Sequence, residues 1–538
     1  MTTPTTPAPT GSAPARGAGA LRMFDMILFS VCAILLLSQV TLTAQTGPSA
    51  ILWTVAVIVL FFVPYGLITA ELGSTYPDAG GIYSWVVRAF GNRWGTRTSW
   101  WYWVNVALWV PSVYLMFAAV LKEMFFPGMG FWPQVLIAVA LIVVNWAVNL
   151  VALDAGKWVS NVGALLTVGV IVLLGIGGVK MLLGGAGSAT AFSWSTDSMI
   201  PTTSTMALAV SIVIYNFLGF ELMSSASQEM HNPRRDVPRT VLVAGLLIGV
   251  FYLVATFGML TILPVDSIST TSGLMDALQK AFGTNAFTAL VGVGILYAFF
   301  AALIPWTIGA NRAAAEAAQR GDLPPVFAHM SPTRGTPTGA AHLTAAVSAT
   351  LTLVYGVLFW ATDGSIDDLF WSIFAFSSIV FLLPYVLMSL SFAKLRVTDA
   401  AAVRPYQVPF GRRGAWVATG LCLALLVLAV LFFIVDPFDL SSFDAQTFAL
   451  IVGGLVVTVA VQEVFVARSP RWRRAVAATE AAGPQLPEHP ELGADVELSG
   501  IAPDDASSLA ALPAPEDPGH ATAHDETAPA TPADTARS

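Results

Sequence analysis

Runs of about 20 apolar residues, the length a helix needs to cross a hydrocarbon core of about 30 Å, recur along this chain from residue 24 to residue 467. They fall at 24–45, 50–71, 100–121, 132–152, 157–183, 204–227, 239–263, 285–311, 341–361, 367–392, 413–435 and 446–467. Twelve spans put both chain ends on one side of the membrane. Within a bilayer every backbone polar group must be satisfied internally, so the expected class is an all-α polytopic membrane protein. Pro111, Pro305 and Pro384 fall in the third, eighth and tenth spans and predict kinks.

Composition excludes the soluble alternative, because 11% charged residues against 56% hydrophobic ones cannot cover a water-facing surface. The net charge of −8 belongs to one end: from Glu480 onward lie 12 of the 33 acids and, of the 25 bases, only Arg537. Residues 1–20 and the acidic, Ala/Pro-rich stretch 471–538 are expected to be disordered cytoplasmic tails, too poor in apolar surface to fold alone. A plug over the cytoplasmic mouth is the other reading of the acidic tail. No small-residue cleavage site follows a short apolar stretch, so the first run reads as an anchored span. Cys32 and Cys422 lie in apolar runs and predict neither a disulfide nor a metal site. The six histidines are scattered over loops, a span end and the tail, and no GxxxxGK[ST] motif is present. No catalytic residues, cofactor or metal are therefore expected, and the chain does not read as an enzyme.

Lys and Arg orient the bundle, since cytoplasmic loops retain positive charge. With the N-terminus inside, Arg88, Arg93, Arg97, Arg234, Arg235, Arg239, Arg312, Arg320, Arg334, the segment from Lys394 to Arg413 and that from Arg468 to Arg474 are all cytoplasmic. Only Lys122, Lys180 and Lys280 fall outside, near span ends. The expected location is the plasma membrane with both termini cytoplasmic.

Ionisable groups inside a membrane usually mark a pathway. Glu71, Asp25 and Asp154 lie near cytoplasmic span edges, and Asp363, Asp367 and Asp368 near the outer edge, where interface charge is the simpler reading. Glu221 differs: it lies well inside the sixth run, beside Phe220 and just after Asn216, Phe217 and Gly219. Such residues weaken a helix, and the backbone groups of a broken span can receive the charged ends of a substrate. The competing reading is a Glu that closes a packing network. In the first run Ser38, Gln39, Thr41 and Thr43 interrupt the outer half and could line a cavity or bond back to the helix. Asn105 and Trp109 share a helix face in the third span, and Trp306 beside Pro305 in the eighth is a pocket wall or gate candidate.

Four loop stretches carry a resemblance. ELGSTYPDAGGIYSWVVRAFG (71–91), GFE with QEMHNPRRDVPR (228–239), NRAAAEAAQRGDLPPVFAHM (311–330) and PYQVPFG (405–411) are similar, in order and spacing, to the amino acid, polyamine and organocation permease superfamily. In look they come nearest to bacterial glutamate/4-aminobutyrate antiporter-like permeases. The resemblance implies five plus five inverted repeats over 21–395, two additional spans over 396–470, and a substrate site between broken first and sixth helices. It places the first-helix site around Leu36 to Thr41 and the sixth-helix break near Asn216 to Gly219, with Phe220 and Glu221 beginning its inner half. It also implies that Tyr83, Arg88, Glu229, Asn232, Pro233, Arg234 and Pro238 belong to cytoplasmic loops packing the inner gate. Two features depart from the superfamily: LLLSQVT stands where many members have a Gly-rich interruption, and the fifth span has Lys157 only at its start. Carboxylate capture would then need Ser38, Gln39 or Thr41, and Glu221 becomes the group that titrates if protons are coupled.

The expected activity is secondary active transport of amino acids or related amines by alternating access, as exchanger or as ion- or proton-coupled symporter. A transport-inactive nutrient receptor or a channel on the same fold is the alternative. The expected partners are the lipid bilayer, a small-molecule substrate and a coupling proton or ion, with no nucleic acid.

Overall fold

The computed structural model describes residues 23–77, 80–151, 153–185, 187–196, 198–222, 232–363, 365–434 and 445–482. Residues 1–20, the stretch from 483 onward and Glu229 lie outside the described residues. The helices are α1 (Met23–Ile34), α2 (Leu37–Gln45), α3 (Ser49–Val57), α4 (Val63–Thr75), α5 (Ile82–Phe90), α6 (Asn92–Phe125), α7 (Phe131–Val151) and α8 (Leu153–Leu183). They continue as α9 (Thr203–Asn216), α10 (Pro233–Ile262), α11 (Gly273–Phe282), α12 (Ala286–Gln319), α13 (Thr338–Ala361), α14 (Ile366–Thr398), α15 (Gly411–Ile434) and α16 (Ala445–Ala482). Among the described residues, ten helices, with α3 through α4 counted as one, are long and apolar enough to cross a membrane, and the bent pair α1–α2 makes up to eleven. Of the twelve expected spans, the sixth is described as α9 and the break after it; the remainder of 204–227 lies outside the described residues.

The apolar stretches of α6 and α14 are 89% and 83% buried, whereas that of α16 is 17% buried, so the first two form the centre and α16 faces lipid. Pro111, Pro305 and Pro384 all lie inside helices, as the apolar pattern predicts. Pro64 is accommodated differently. The segment Ile58–Phe62 just before it winds as a π-helix, a local widening that takes up the hydrogen bond a proline cannot donate. Close approach of α8 and α10 rests on glycine: a methyl group on Gly258 would sit 2.5 Å from the Leu174 carbonyl oxygen.

Several boundaries differ from those read in the sequence. The polar residues of the first run do not interrupt it: the bend, 49° between α1 and α2, comes earlier, at Leu35–Leu36. Thr41 and Thr43 hydroxyls bond back to the Ser38 and Gln39 carbonyls, at 3.1 and 2.7 Å, which a helix tolerates. The expected loop 71–91 contains the amphipathic helix α5, which carries Tyr83 and Arg88 and packs against α6 and α14. Pro233, Arg234 and Pro238 are not loop residues either. Asn232 precedes a helix whose first position is Pro233, where a missing N–H costs nothing. Finally, α16 runs to Ala482, past the boundary at 470.

Candidate functional site

The first break has no glycine or proline, and its stability comes from neighbours. Leu36 is extended (φ −91°, ψ 121°). Its N–H donates to the Tyr252 hydroxyl at 3.1 Å, and that hydroxyl donates to the Ile34 carbonyl at 2.9 Å. The Trp306 indole N–H donates to the Ala33 carbonyl at 2.7 Å. Side chains from α10 and α12 thus satisfy backbone groups that a bilayer interior would otherwise leave unpaired.

The second break starts where α9 ends. Phe217 leaves helical geometry (φ −106°, ψ 9°) and Gly219 takes φ +118°, a conformation L side chains rarely adopt. A methyl group on Gly219 would stand 2.9 Å from the Trp306 ring and 3.1 Å from Ile34, so the two breaks and Trp306 meet here. The Asn216 amide donates to the Thr43 hydroxyl at 3.0 Å, joining α9 to α2.

Glu221, 2% exposed, is an ionisable group buried in this region. Three tyrosine hydroxyls donate to its carboxylate: Tyr65 to Oε2 at 3.0 Å, Tyr102 to Oε1 at 2.9 Å and Tyr385 to Oε1 at 2.7 Å. They come from α4, α6 and α14, so one carboxylate ties three helices to the broken sixth span. No ion pair among the described residues includes it. Hydrogen bonds to a charged group are each worth about 1.5–3 kcal/mol, enough to hold a carboxylate where apolar neighbours would exclude it.

An aromatic wall adjoins this carboxylate. Trp109 and Trp306 meet edge to face with centroids 5.8 Å apart, followed by Trp306–Phe381 at 5.3 Å and Phe381–Tyr385 at 4.9 Å. Phe217 and Phe220 lie against Phe62, at 5.2 and 5.4 Å. The structure therefore brings together Trp109, Asn216, Phe217, Gly219, Phe220, Glu221 and Trp306. Ser38, Gln39 and Asn105 are buried, on α2 and α6. Among the described residues, both polar atoms of the Gln39 side chain, Asn105 Oδ1 and Asn216 Oδ1 have no hydrogen-bond partner. Thr41 is engaged elsewhere, donating to the Thr270 carbonyl at 2.9 Å.

Sequence reasoning missed Tyr65, Tyr102, Tyr252 and Tyr385. Each sits in an apolar run where a tyrosine reads as interface or core, and only the fold points four hydroxyls at backbone or carboxylate. Glu71 is not an exposed interface charge: it is 2% exposed, ion-paired with Arg396 and, at 3.3 Å, with Arg404, and accepts the Val408 N–H at 2.7 Å. PYQVPFG is thereby tied to the end of α4.

The arginine-rich end holds a second clamp. Tyr83 of α5 donates to Asp322 Oδ2 at 2.7 Å, and Arg473 of α16 donates to Oδ1 at 2.6 Å. Burial pushes the Asp322 carboxyl up from its ordinary value, against the hydrogen bonds from Tyr83 and Arg473. Arg88 lies 4.9 Å over the Tyr76 ring, while Asn232 and Arg234 are exposed and Pro238 is buried.

Trp306→Phe should keep the aromatic contact and lose the bond to Ala33, leaving a freed carbonyl unpaired. The KM for substrate is expected to rise about tenfold, for a loss of about 1–2 kcal/mol. An unchanged KM in reconstituted uptake would mean that Trp306 only packs.

A polytopic helical bundle whose first and sixth spans break where they meet, beside a buried carboxylate, defines a secondary transporter. The chain belongs to the amino acid permease family, whose model matches residues 21–459. It is 30% identical over 450 residues to the probable agmatine/putrescine antiporter AguD of Lactococcus lactis, covering 83% of this chain and 94% of that one. It is 21% identical over 407 residues to the glutamate/gamma-aminobutyrate antiporter of the same species, covering 73% and 79% of the two chains. In fold it is similar to MhsT, crystallised with L-phenylalanine, at a TM-score of 0.54 and 16% identity, covering 79% of this chain and 100% of that one. These relatives support a carrier of small molecules over the receptor or channel alternative, and they do not point to an enzyme.

Proposed function

We propose that the protein is an antiporter of the plasma membrane that exchanges small organic cations, amines or amino acids of net positive charge. The observation that carries this reading is Glu221: a carboxylate in the sixth-span break, hydrogen-bonded by three tyrosines and paired with no cationic side chain among the described residues. Its missing countercharge is supplied by the substrate ammonium or by a proton, and competition between the two couples exchange to charge. The unpartnered amide atoms of Gln39, Asn105 and Asn216 then receive the far end of the substrate. Trp109, Trp306, Phe217 and Phe220 enclose its carbon chain, with cation–π attraction available from the indoles. Ser38 and Thr41 line the first-span half of the site, and Gly219 gives the backbone its turn. The relative named for agmatine and putrescine supports an amine over a neutral zwitterion.

Positive charge in the loops supports cytoplasmic termini, with residues 21–395 as the transport core and the last two spans as additions. In that orientation Tyr83, Arg88, Asn232, Pro233, Arg234 and Pro238 surround the inner gate, together with the Asp322 and Glu71 clamps. The far side is also tied, by Thr41 to the Thr270 carbonyl and by Thr271 to Asp367. Alternating access requires one set of ties to open while the other holds.

Exchange in proteoliposomes loaded with agmatine, putrescine, glutamate or 4-aminobutyrate, with and without a pH gradient, tests this reading. Counter-substrate acceleration by the amines is expected. Acceleration by neutral amino acids alone would refute the cation preference, and saturable binding without flux would refute transport.

A further inference from the structure

A groove of about 890 Å³ opens at the arginine-rich end between the start of α6 and the outer part of α16. It is lined by Arg93, Trp94 and Arg97 on one side and Glu463, Pro470 and Arg473 on the other, three guanidiniums against one carboxylate. Two of the arginines have partners. Arg97 makes a two-pronged bond to Glu463, both contacts at 2.8 Å, and lies 5.0 Å over the Trp94 ring. Arg473 offers one nitrogen to Asp322, at 2.6 Å. Arg93 is exposed, and among the described residues no carboxylate pairs with it.

The depth of the groove indicates what fills it. On α6 the apolar run begins at Trp100, so at about 1.5 Å per residue Arg97 and Arg93 stand about 5–11 Å beyond it. Arg97 thus falls in the headgroup layer, about 5–8 Å thick on each face, and Arg93 just beyond it, from where its long side chain reaches back to the phosphates. On α16 the change falls at the same place: Val456, Val457 and Val464 are exposed apolar residues, and Arg468, Arg471 and Arg474 are exposed just past them. The groove thus faces headgroups sideways and is net positive where it does so, with Arg93 left without a carboxylate partner among the described residues. Trp94, 40% exposed, adds an amphipathic ring of the kind enriched at membrane–water interfaces.

We propose that this groove is a binding site for a phosphodiester anion, delivered as the headgroup of an anionic phospholipid, with Arg93 as its principal contact. Guanidinium forks match phosphate oxygens, and a basic pocket between spans at the membrane surface concentrates acidic lipid. A headgroup seated there bridges α6 and α16, next to the Arg473–Asp322 clamp. The site lies apart from the substrate breaks and does not depend on which substrate is carried.

The test is native mass spectrometry of the full chain in detergent, titrated with phosphatidylglycerol, phosphatidylcholine or inorganic phosphate. Phosphatidylglycerol is expected to bind saturably and phosphatidylcholine not to compete. Arg93→Gln should weaken phosphatidylglycerol binding about fivefold, the typical effect of one basic residue near a charged surface. Arg93→Glu should weaken it further. Arg412→Gln, in a different basic groove, should leave it unchanged. Because Arg93 is exposed, both variants should retain the unfolding temperature of the parent, which distinguishes lost binding from lost structure. Equal binding by the Arg93→Glu protein, competition by phosphatidylcholine, or displacement of the lipid by inorganic phosphate at equal potency would each overturn the proposal.

Discussion

Glu221→Gln is expected to reduce transport of cationic amines by roughly 10- to 100-fold, with much of the pH dependence lost. The substitution keeps the size of the side chain and removes the carboxylate that receives the three tyrosine hydroxyls. A carboxylate accepts all three hydroxyls at once, through two oxygens. A glutamine offers one acceptor oxygen and an NH2 that must find an acceptor, so at least one tyrosine has to turn its hydroxyl round. The expected loss corresponds to a charge-assisted hydrogen bond of about 1.5–3 kcal/mol. Tyr102→Phe and Tyr385→Phe should each have a smaller effect, since two donors remain. Uptake by purified variants in proteoliposomes, measured across pH, decides the matter. Parental rates and an unaltered pH profile for Glu221→Gln would reduce Glu221 to a helix tie and remove the main support for a cationic substrate.

Gly219→Ala should be nearly as damaging for a different reason. At φ +118° an L side chain is strained by about 1–3 kcal/mol, and the added methyl lands 2.9 Å from Trp306. The indole cannot simply move, because it is bonded to the Ala33 carbonyl and wedged between Trp109 and Phe381. At least a tenfold fall in exchange is expected, together with a lower unfolding temperature. The cause can be separated by combining Gly219→Ala with Trp306→Phe. The smaller ring relieves the clash while the backbone strain stays, so partial recovery beyond additivity is expected. Wild-type exchange in the single variant would show that the break can be built without glycine.

How much of this was legible beforehand differs between the two breaks. The sixth announced itself, because Asn216, Gly219 and Glu221 in an apolar run are each locally unfavourable to a membrane helix. The first did not. LLLSQVT contains polar residues that look like an interruption, yet they are helical, and the chain bends one turn earlier among leucines. Local propensity could not reveal this, since the partners that permit the bend, Tyr252 and Trp306, lie more than 200 residues away.

The same division holds for charge. Glu71 and Asp322 carried no sign in the sequence of being buried clamps, because their counter-ions, Arg396, Arg404 and Arg473, are brought to them by distant helices. What the chain determined by itself was its solvent and its class: apolar runs of spanning length admit only helices in a bilayer. What only the tertiary structure decided was where unpaired backbone and buried charge could be tolerated. Such groups are stable in hydrocarbon only when another segment supplies the hydrogen bond, and the three tyrosines around Glu221 come from three different helices.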